Sequence, residues 1–209
     1  MKGMIIVLVF ALICFMSPGS HAANEIRFDF EGTNQGWIIP DWAYYQSDHK
    51  AKTVEVSDKE VSHGKNSLAV MCEFPGDEWT AALVEWKREV DLSGYDTISV
   101  DVYVPKGAPR ALLKGRIILT AGEGWHFTEM KNAVYLKPGR WTTIKAKLES
   151  EAPAEGEPSD WKGRGDKALY KNIDNIKKIA VRIEYDAAPP HRMGPRYHGP
   201  IYIDNVVIK

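Results

Sequence analysis

The sequence predicts an all-β fold in which antiparallel strands form a β-sandwich. Apolar and polar residues alternate with a period of two in several segments, which is the pattern of strands that bury one face. Clusters of Gly, Pro, Asp and Asn separate these segments, and no window shows the period of a long amphipathic helix. Sheets that no helical layer covers must bury their apolar faces on each other, so two packed sheets are expected.

The alternation places the strands in chain order. It is clearest in five segments, at residues 26–30, 97–104, 141–148, 179–185 and 201–208. Shorter candidate strands cover residues 53–56, 67–73, 81–90 and 115–120. One short helix could form in residues 167–176. Two segments rich in Pro and Gly are expected to be loops, long enough to have a function, at residues 149–165 and 187–199.

The N-terminal segment, residues 1–22, is expected to be a secretory signal peptide, which leaves residues 23–209 as one mature domain. Lys2 precedes an unbroken apolar run, and Ser20-His21-Ala22 provides a small-x-small cleavage site. The run is shorter than the roughly 20 apolar residues that span a membrane. An uncleaved anchor therefore fits less well, and so does a lipid-modified Cys14, because a bulky Ile precedes it. The protein is expected to be secreted or periplasmic.

The composition excludes several classes of partner. With 27 basic and 28 acidic side chains the formal charge is -1, so no net field draws the protein onto nucleic acid or an anionic membrane. Cys72 is the cysteine that remains after signal cleavage, so no intramolecular disulfide can form and this side chain is expected to be buried. Seven Trp, nine Tyr and six Phe are a large aromatic stock, part of which could face a neutral ligand.

Short motifs rich in Gly and aromatic residues extend from the first mature strand to the last residue. Those at the two ends are Phe28-Asp29-Phe30-Glu31-Gly32, Gln35-Gly36-Trp37, His63-Gly64-Lys65-Asn66-Ser67-Leu68 and Arg196-Tyr197-His198-Gly199-Pro200-Ile201-Tyr202-Ile203-Asp204-Asn205-Val206. Those between are Gly76-Asp77-Glu78-Trp79, Val102-Tyr103-Val104-Pro105, Leu113-Lys114-Gly115-Arg116 and Gly124-Trp125. Together they resemble the jelly-roll, galactose-binding-like carbohydrate-binding modules. Within that group the sequence is most similar to family 27, the mannan-binding modules of secreted mannanases.

The resemblance implies non-catalytic binding of a β-linked polysaccharide, most of all β-mannan as mannan, glucomannan or galactomannan. Trp79 and Trp125 match positions that stack on the mannan chain, and a third ring is expected from Trp37 or Trp42. An indole can cover the apolar face of a pyranose, and each well-buried ring should contribute about 1 to 2 kcal/mol. Modules of this kind usually sit beside a hydrolase in one chain. The protein is therefore expected either to bind glycans on its own or to pass its substrate to a separate glycoside hydrolase.

Polar side chains on the same face as the rings would bond the sugar hydroxyls. Alternation along residues 179–185 places Arg182 and Glu184 together, on the face opposite to the apolar side chains. Arg116 and Glu85 are similar candidates. The alternative for these residues is a solvated cross-strand ion pair, worth under about 1 kcal/mol.

The resemblance also implies a structural calcium ion that ties the first strand to the last. The matching positions are Asp29 or Glu31, Asp204, and the main-chain oxygens of Lys65 and Asn66. Hard oxygen ligands suit calcium. An ion that binds only the folded state would stabilise an exported domain without a disulfide. The alternative is a turn at the end of a strand with solvated side chains.

Two other classes of function stay open. β-Sandwiches also host polysaccharide lyases and glycoside hydrolases, and the hydrolases need two carboxylates roughly 5 to 9.5 Å apart. The sequence has no Glu-x-Asp-x-x-Glu strand and no Gly-x-Ser-x-Gly elbow. A secreted protein-protein interaction domain would also expose an aromatic patch.

Overall fold

The computed structural model describes residues 25–186 and 194–209. Its strands are β1 (Ile26–Phe28), β2 (Trp37–Ile38), β3 (Ala51–Ser57), β4 (Ser67–Phe74), β5 (Thr80–Trp86), β6 (Thr97–Val104), β7 (Leu113–Ala121), β8 (His126–Met130), β9 (Val134–Tyr135), β10 (Arg140–Lys147), β11 (Trp161–Lys162), β12 (Ile176–Tyr185) and β13 (Tyr197–Ile208). Short 3-10 helices cover Asp41–Tyr45, Gly165–Lys167 and Leu169–Lys171.

The strands form two antiparallel sheets. In the first sheet β10, β6, β13, β4 and β3 follow one another, and β1 pairs with β13. In the second sheet the order is β11, β8, β7, β12, β5 and β2, and β9 pairs with β7. The first and last strands are neighbours, because Ile26 lies opposite Ile208.

The main core lies between the two sheets, and strand alternation fills it. In the first sheet Val100 and Val102 of β6 are fully buried. In the second sheet Ile179, Val181 and Ile183 of β12 are buried in the same cluster. Since alternate side chains of a strand point to opposite faces, the residues between them in β12 lie on the outer face of the second sheet.

The predicted β-sandwich is confirmed. β6 has the predicted bounds, and the other predicted strands are found with ends that differ by a few residues. The structure adds β8 and three strands of two residues, which are too short for a period of two to be visible in the sequence. The short helix expected in residues 167–176 is replaced by single 3-10 turns, because so short a segment does not repay the nucleation of an α-helix.

Two predictions concern residues outside the described ranges. The signal peptide, residues 1–22, lies outside them altogether, and residues 187–193 of the second predicted loop do so as well. Within the described ranges no helix is both long enough and apolar enough to span a membrane. Cys72 is fully buried and free, as predicted, and burial raises the pKa of its thiol.

Candidate functional site

A groove of about 490 Å³ crosses the outer face of the second sheet. Strands β5, β12 and β7 form its floor, and the turn between β7 and β8 closes one end. The groove is lined by aromatic, apolar and charged side chains, namely Trp42, Asp48, His49, Trp79, Leu83, Glu85, Ile118, Thr120, Trp125, Phe127, Lys178, Ala180 and Arg182.

The floor is apolar at its centre. Leu83, Ile118 and Ala180 form a small cluster of buried side chains that is separate from the main core. The register explains it, since Ala180 of β12 lies opposite Ile118 of β7, and Leu83 of β5 lies opposite Arg182, the next residue of β12 on the same face. The centre of this outer face is therefore apolar, whereas a solvated sheet face is usually polar.

Trp125 stands at one end of the groove in a strained backbone conformation. Its φ is 50°, a left-handed value that is rare for a bulky residue. The amide of Trp125 donates to the carbonyl of Gly122 at 3.1 Å, which fixes the turn. The ring is 50% exposed, and the ammonium groups of Lys87 and Lys178 lie 5.7 and 5.9 Å from its centroid. Such strain is found at functional sites, where surrounding contacts hold it in place.

Trp79 and Trp42 border the groove on the side of β5. Trp79 directly precedes β5 and is 38% exposed, and Trp42 is 43% exposed in the 3-10 helix Asp41–Tyr45. Main-chain bonds between Ala81 and the segment 48–50 bring His49 to this edge. Trp42 packs edge-on against His49, with ring centroids 4.7 Å apart. Three exposed indoles thus border one apolar floor.

A buried ion pair provides hydrogen-bonding groups within the groove. The ammonium of Lys178 donates to both carboxylate oxygens of Glu85, at 3.0 and 3.1 Å. The side chain of Glu85 is 7% exposed and that of Lys178 is 19% exposed. An ion pair so sheltered from water keeps its geometry, since leaving either charge unpaired would be costly. Nδ1 of His49 lies 2.9 Å from a carboxylate oxygen of Asp48, within hydrogen-bonding distance.

Arg182 connects the groove to a network of charges on the outer face. Its guanidinium donates to Glu184 at 2.9 Å and also to Glu129, and Arg116 donates to the same two carboxylates, at 3.2 Å each. Burial alone would raise the pKa of Glu129. The charge of Arg182, a hydrogen bond from Lys162 and the charge of Arg116 outweigh this effect and lower the pKa of Glu129.

The structure brings most of the predicted ligand-binding residues together. Trp42, Trp79, Trp125, Arg182 and Glu85 line the one groove. Glu184 and Arg116 do not line it. They lie in the charge network beside it and hold Arg182 and Glu129 in position.

The prediction that Trp37 could provide the third stacking ring is wrong, because its side chain is not at the surface. Its side chain is fully buried, and it packs edge-on against Phe28 and Phe30, with centroids 5.5 and 6.3 Å away. The cause is register, since Trp37 in β2 lies opposite Trp86 of β5 and turns into the core. Of the two alternatives for the third ring, Trp42 is the one at the surface.

Several lining residues escaped the sequence analysis. Lys178 precedes the predicted strand by one residue, and extending the alternation backwards from Arg182 would have placed it on the groove face. Phe127 lies in β8, which was not predicted, although Gly122 and Gly124 mark a turn that returns the chain beside β7. Nothing in the sequence around His49 indicated a place in the groove, because a main-chain contact with Ala81, distant in the chain, positions it.

The residues predicted to bind calcium surround one loop, and the carboxylates of two of them, Glu31 and Asp204, accept main-chain amides of that loop. One carboxylate oxygen of Glu31 accepts the amides of Lys65 and Asn66, and one of Asp204 accepts the amides of Ser62 and His63. Asp29 accepts a hydrogen bond from a nearby side-chain amide at 3.0 Å. Within residues 25–186 and 194–209, no three acidic, His or Cys side chains are grouped as metal ligands.

Asp204 nevertheless has surroundings that would favour a cation. It is fully buried, and no basic side chain of the described ranges pairs with its carboxylate. Burial raises the pKa of Asp204, and the amides of His63, Ser62 and Asn205 act in the opposite direction. The described side chains do not by themselves form a metal-binding group, and no role of the groove is derived from calcium.

Comparison with known proteins identifies the fold of the chain but not its family. No protein-family model and no curated protein matches the sequence significantly. Solved structures do match, among them a carbohydrate-binding module of family 28 that is specific for non-crystalline cellulose. It has a TM-score of 0.55 and 12% sequence identity, over 86% of this chain and 90% of that one.

Two further structures support the same conclusion. The family 11 carbohydrate-binding module of the cellulase Lic26A-Cel5E from Clostridium thermocellum has a TM-score of 0.50 and 15% identity, over 90% of this chain and 95% of that one. An exo-β-agarase has a TM-score of 0.54 and 13% identity, over 87% of this chain but 24% of that one. The chain shares the fold of carbohydrate-binding modules. At these identities the likeness concerns the jelly-roll fold alone.

Proposed function

We propose that this protein binds a β-linked polysaccharide, most of all β-mannan, in the groove of the second sheet and does not cleave it. The observation that carries the proposal is the set of three exposed indoles, Trp42, Trp79 and Trp125, around an apolar floor. Single exposed apolar side chains are common on protein surfaces, but several large aromatic side chains exposed around one groove mark a binding site.

The chemistry of the groove suits an uncharged sugar chain. Indole faces cover the C-H surface of a pyranose, and fixed polar groups at the sides can bond its hydroxyls. Glu85, Lys178 and Arg182 provide acceptors and donors whose positions are set by ion pairs. Two or three rings contributing about 1 to 2 kcal/mol each give micromolar affinity after the costs of association.

The mannan specificity rests on the sequence motifs around Trp79 and Trp125. Modules of similar fold bind other polymers, as the name of the family 28 module states for non-crystalline cellulose. Retardation in gels that contain galactomannan, glucomannan, xylan or β-glucan separates these alternatives. Strong retardation by xylan or β-glucan and none by the two mannans would replace mannan as the ligand and keep the groove.

The decisive experiment is the removal of single rings. Trp79→Ala and Trp125→Ala should each weaken the binding of mannohexaose roughly tenfold in isothermal titration calorimetry, since one stacked ring is worth about 1 to 2 kcal/mol. Trp141→Ala is the matched control, because this indole packs against Tyr103 on the outer side of the first sheet. Equal affinities for the wild type and both groove variants would refute the proposal.

Cleavage is excluded or detected in the same samples. We expect no new reducing ends when the protein is incubated with galactomannan, because the two carboxylates that line the groove are both engaged, Glu85 by Lys178 and Asp48 by His49. Release of reducing sugar that Glu85→Gln abolishes would make the protein a glycoside hydrolase. Export by a signal peptide and delivery of bound polymer to a separate hydrolase belong to the same proposal.

A further inference from the structure

A second cavity, of about 510 Å³, adjoins the groove at the β8–β11 edge of the second sheet. Phe127 lines both cavities, and its ring is 53% exposed between them. Because Lys162 of β11 lies opposite Glu129 of β8, its side chain is on the same outer face as the groove. A polymer that passes Trp125 and Phe127 therefore reaches the second cavity.

The charged side chains that line this cavity are all basic. They are Lys131, Lys162, Arg164 and Lys167, and no acidic residue of the described ranges is among the lining. All four are exposed at the surface. For a protein of formal charge -1 this is a marked local excess of positive charge. Lysine and arginine lining one cavity attract anions and bond carboxylate or sulfate oxygens.

The acidic groups nearby leave most of this charge uncompensated. Glu129 contacts Lys162 at 3.2 Å, but the same carboxylate already pairs with Arg182 and Arg116. Asp166 lies between Arg164 and Lys167 in sequence, and its carboxylate faces His126 at 4.0 Å. Arg164, Lys167 and Lys131 form no ion pair within residues 25–186 and 194–209.

The wall of the cavity is rigid enough to keep the basic side chains near one another. Trp161 is buried, and its indole N-H donates to the carbonyl of Lys147 at 2.7 Å. The main chain of β11 pairs with β8, and the hydroxyl of Thr128 donates to the carbonyl of Lys167. These contacts attach the 161–167 segment to the sheet that carries the groove.

We propose that this basic cavity is a subsite for an anionic substituent, a carboxylate or a sulfate ester, on the polysaccharide that occupies the groove. The inference rests on the proposed function, and it adds an anionic substituent to the neutral sugar chain that the groove binds. Two or three exposed ion pairs support roughly a tenfold gain in affinity over the neutral polymer. The gain falls with salt, because the distance beyond which charges are screened shortens from about 10 Å at 0.1 M to about 3 Å at 1 M ionic strength.

Matched polymer pairs test the inference. Affinity electrophoresis is run with galactomannan, its C6-oxidised form and its sulfated form, and with hydroxyethyl cellulose against carboxymethyl cellulose. Retardation by either neutral polymer tests the proposed function alone. Tighter binding of the carboxylate or sulfate form, lost at high salt, supports the subsite. Equal or weaker binding of every anionic form overturns it while the groove assignment stands.

Charge reversal locates the effect. Arg164→Glu combined with Lys167→Glu should abolish the preference for the anionic polymer and leave binding of the neutral polymer unchanged. The control combines Lys59→Glu with Lys145→Glu, both exposed and located on the side of the first sheet, with the same change in net charge. A preference lost equally in both double variants would mean non-specific attraction and would overturn the subsite. Circular dichroism confirms that each variant is folded.

Discussion

Trp125 shows how a single residue can be prepared for binding before a ligand arrives. A non-glycine residue in the left-handed region costs of order 1 to 3 kcal/mol, so the conformation persists only where other contacts impose it. Here the turn bond to Gly122 and the two lysines at the ring provide those contacts. Under the proposed function, a ring held by such contacts loses less entropy when a sugar stacks on it.

Lys178→Met should destabilise the fold as well as alter the groove. The change leaves the carboxylate of Glu85 buried without its partner, which costs about 1 to 3 kcal/mol of unfolding free energy. Chemical denaturation measures this loss. The double variant Glu85→Gln with Lys178→Met should recover most of it, because no charge is then left unpaired. A double variant as unstable as the single one would contradict this account of the pair.

The sequence was informative about exposed indoles only where local context decides exposure. Trp79 and Trp125 follow Gly or acidic residues next to strand ends, and both are exposed as expected. Trp37 and Trp42 could not be separated, because the two-residue strand β2 that buries Trp37 depends on pairing with β5, far along the chain. Contacts of that kind leave no trace in a sequence window.

At the scale of elements, β7, β8 and β12 are connected by charges as well as by main-chain bonds. Arg116 on β7, Glu129 on β8, and Arg182 and Glu184 on β12 form one hydrogen-bonded network. Because Arg182 also lines the groove, the network sets the position of a groove residue. The neighbouring strands would otherwise place like charges side by side, since Arg182 lies opposite Arg116.

The network makes stability depend on acid pH. The pKa of Glu129 is lowered in the folded state, so its contribution is complete above the unfolded value of about 4.5 and is lost as the pH falls towards the folded value. The wild type should therefore lose stability below about pH 4.5 more steeply than Glu129→Gln. Urea unfolding from pH 3 to pH 7 measures this difference, with the exposed Glu157→Gln as control. Parallel pH profiles for all three proteins would contradict the role of Glu129.

Long strands were predictable and short ones were not. β6 and β13 carry enough alternating residues for the period to be visible. In the five-residue β8, by contrast, the apolar Phe127 is exposed and the polar Thr128 is buried, so the sequence shows no such period. Missing β8 also hid Phe127 and the relation of Trp161 to the sheet, which are central to the groove and to the basic cavity. Tertiary pairing, not propensity, determines such elements.

At the scale of the whole molecule, carboxylates near both ends of the chain hold the loop between β3 and β4 against the sandwich. Glu31 and Asp204 bind the 62–66 loop through main-chain amides, and Asp204 is buried without a basic partner in the described residues. The calcium ion that the sequence resemblance implies stays a prediction.

Thermal unfolding tests the calcium prediction. An ion at about a hundred times its dissociation constant adds about 2.7 kcal/mol. For a domain of this size that shifts Tm by roughly 5 to 10 °C. We expect EGTA to lower Tm of the wild type by this amount and calcium to restore it. Asp204→Asn should have a low Tm that calcium does not change. A wild-type Tm that is the same in EGTA and in calcium would refute the prediction.

The pairing of β1 with β13 has a practical consequence for handling this protein. Ile26 and Ile208 are neighbours in the first sheet, whereas the groove crosses the outer face of the second sheet. A resin or sensor chip coupled at Lys209 would therefore be joined to the first sheet and not to the strands that line the groove. Immobilised in this way, the protein would work as a capture reagent for polymers too large to enter a crystal.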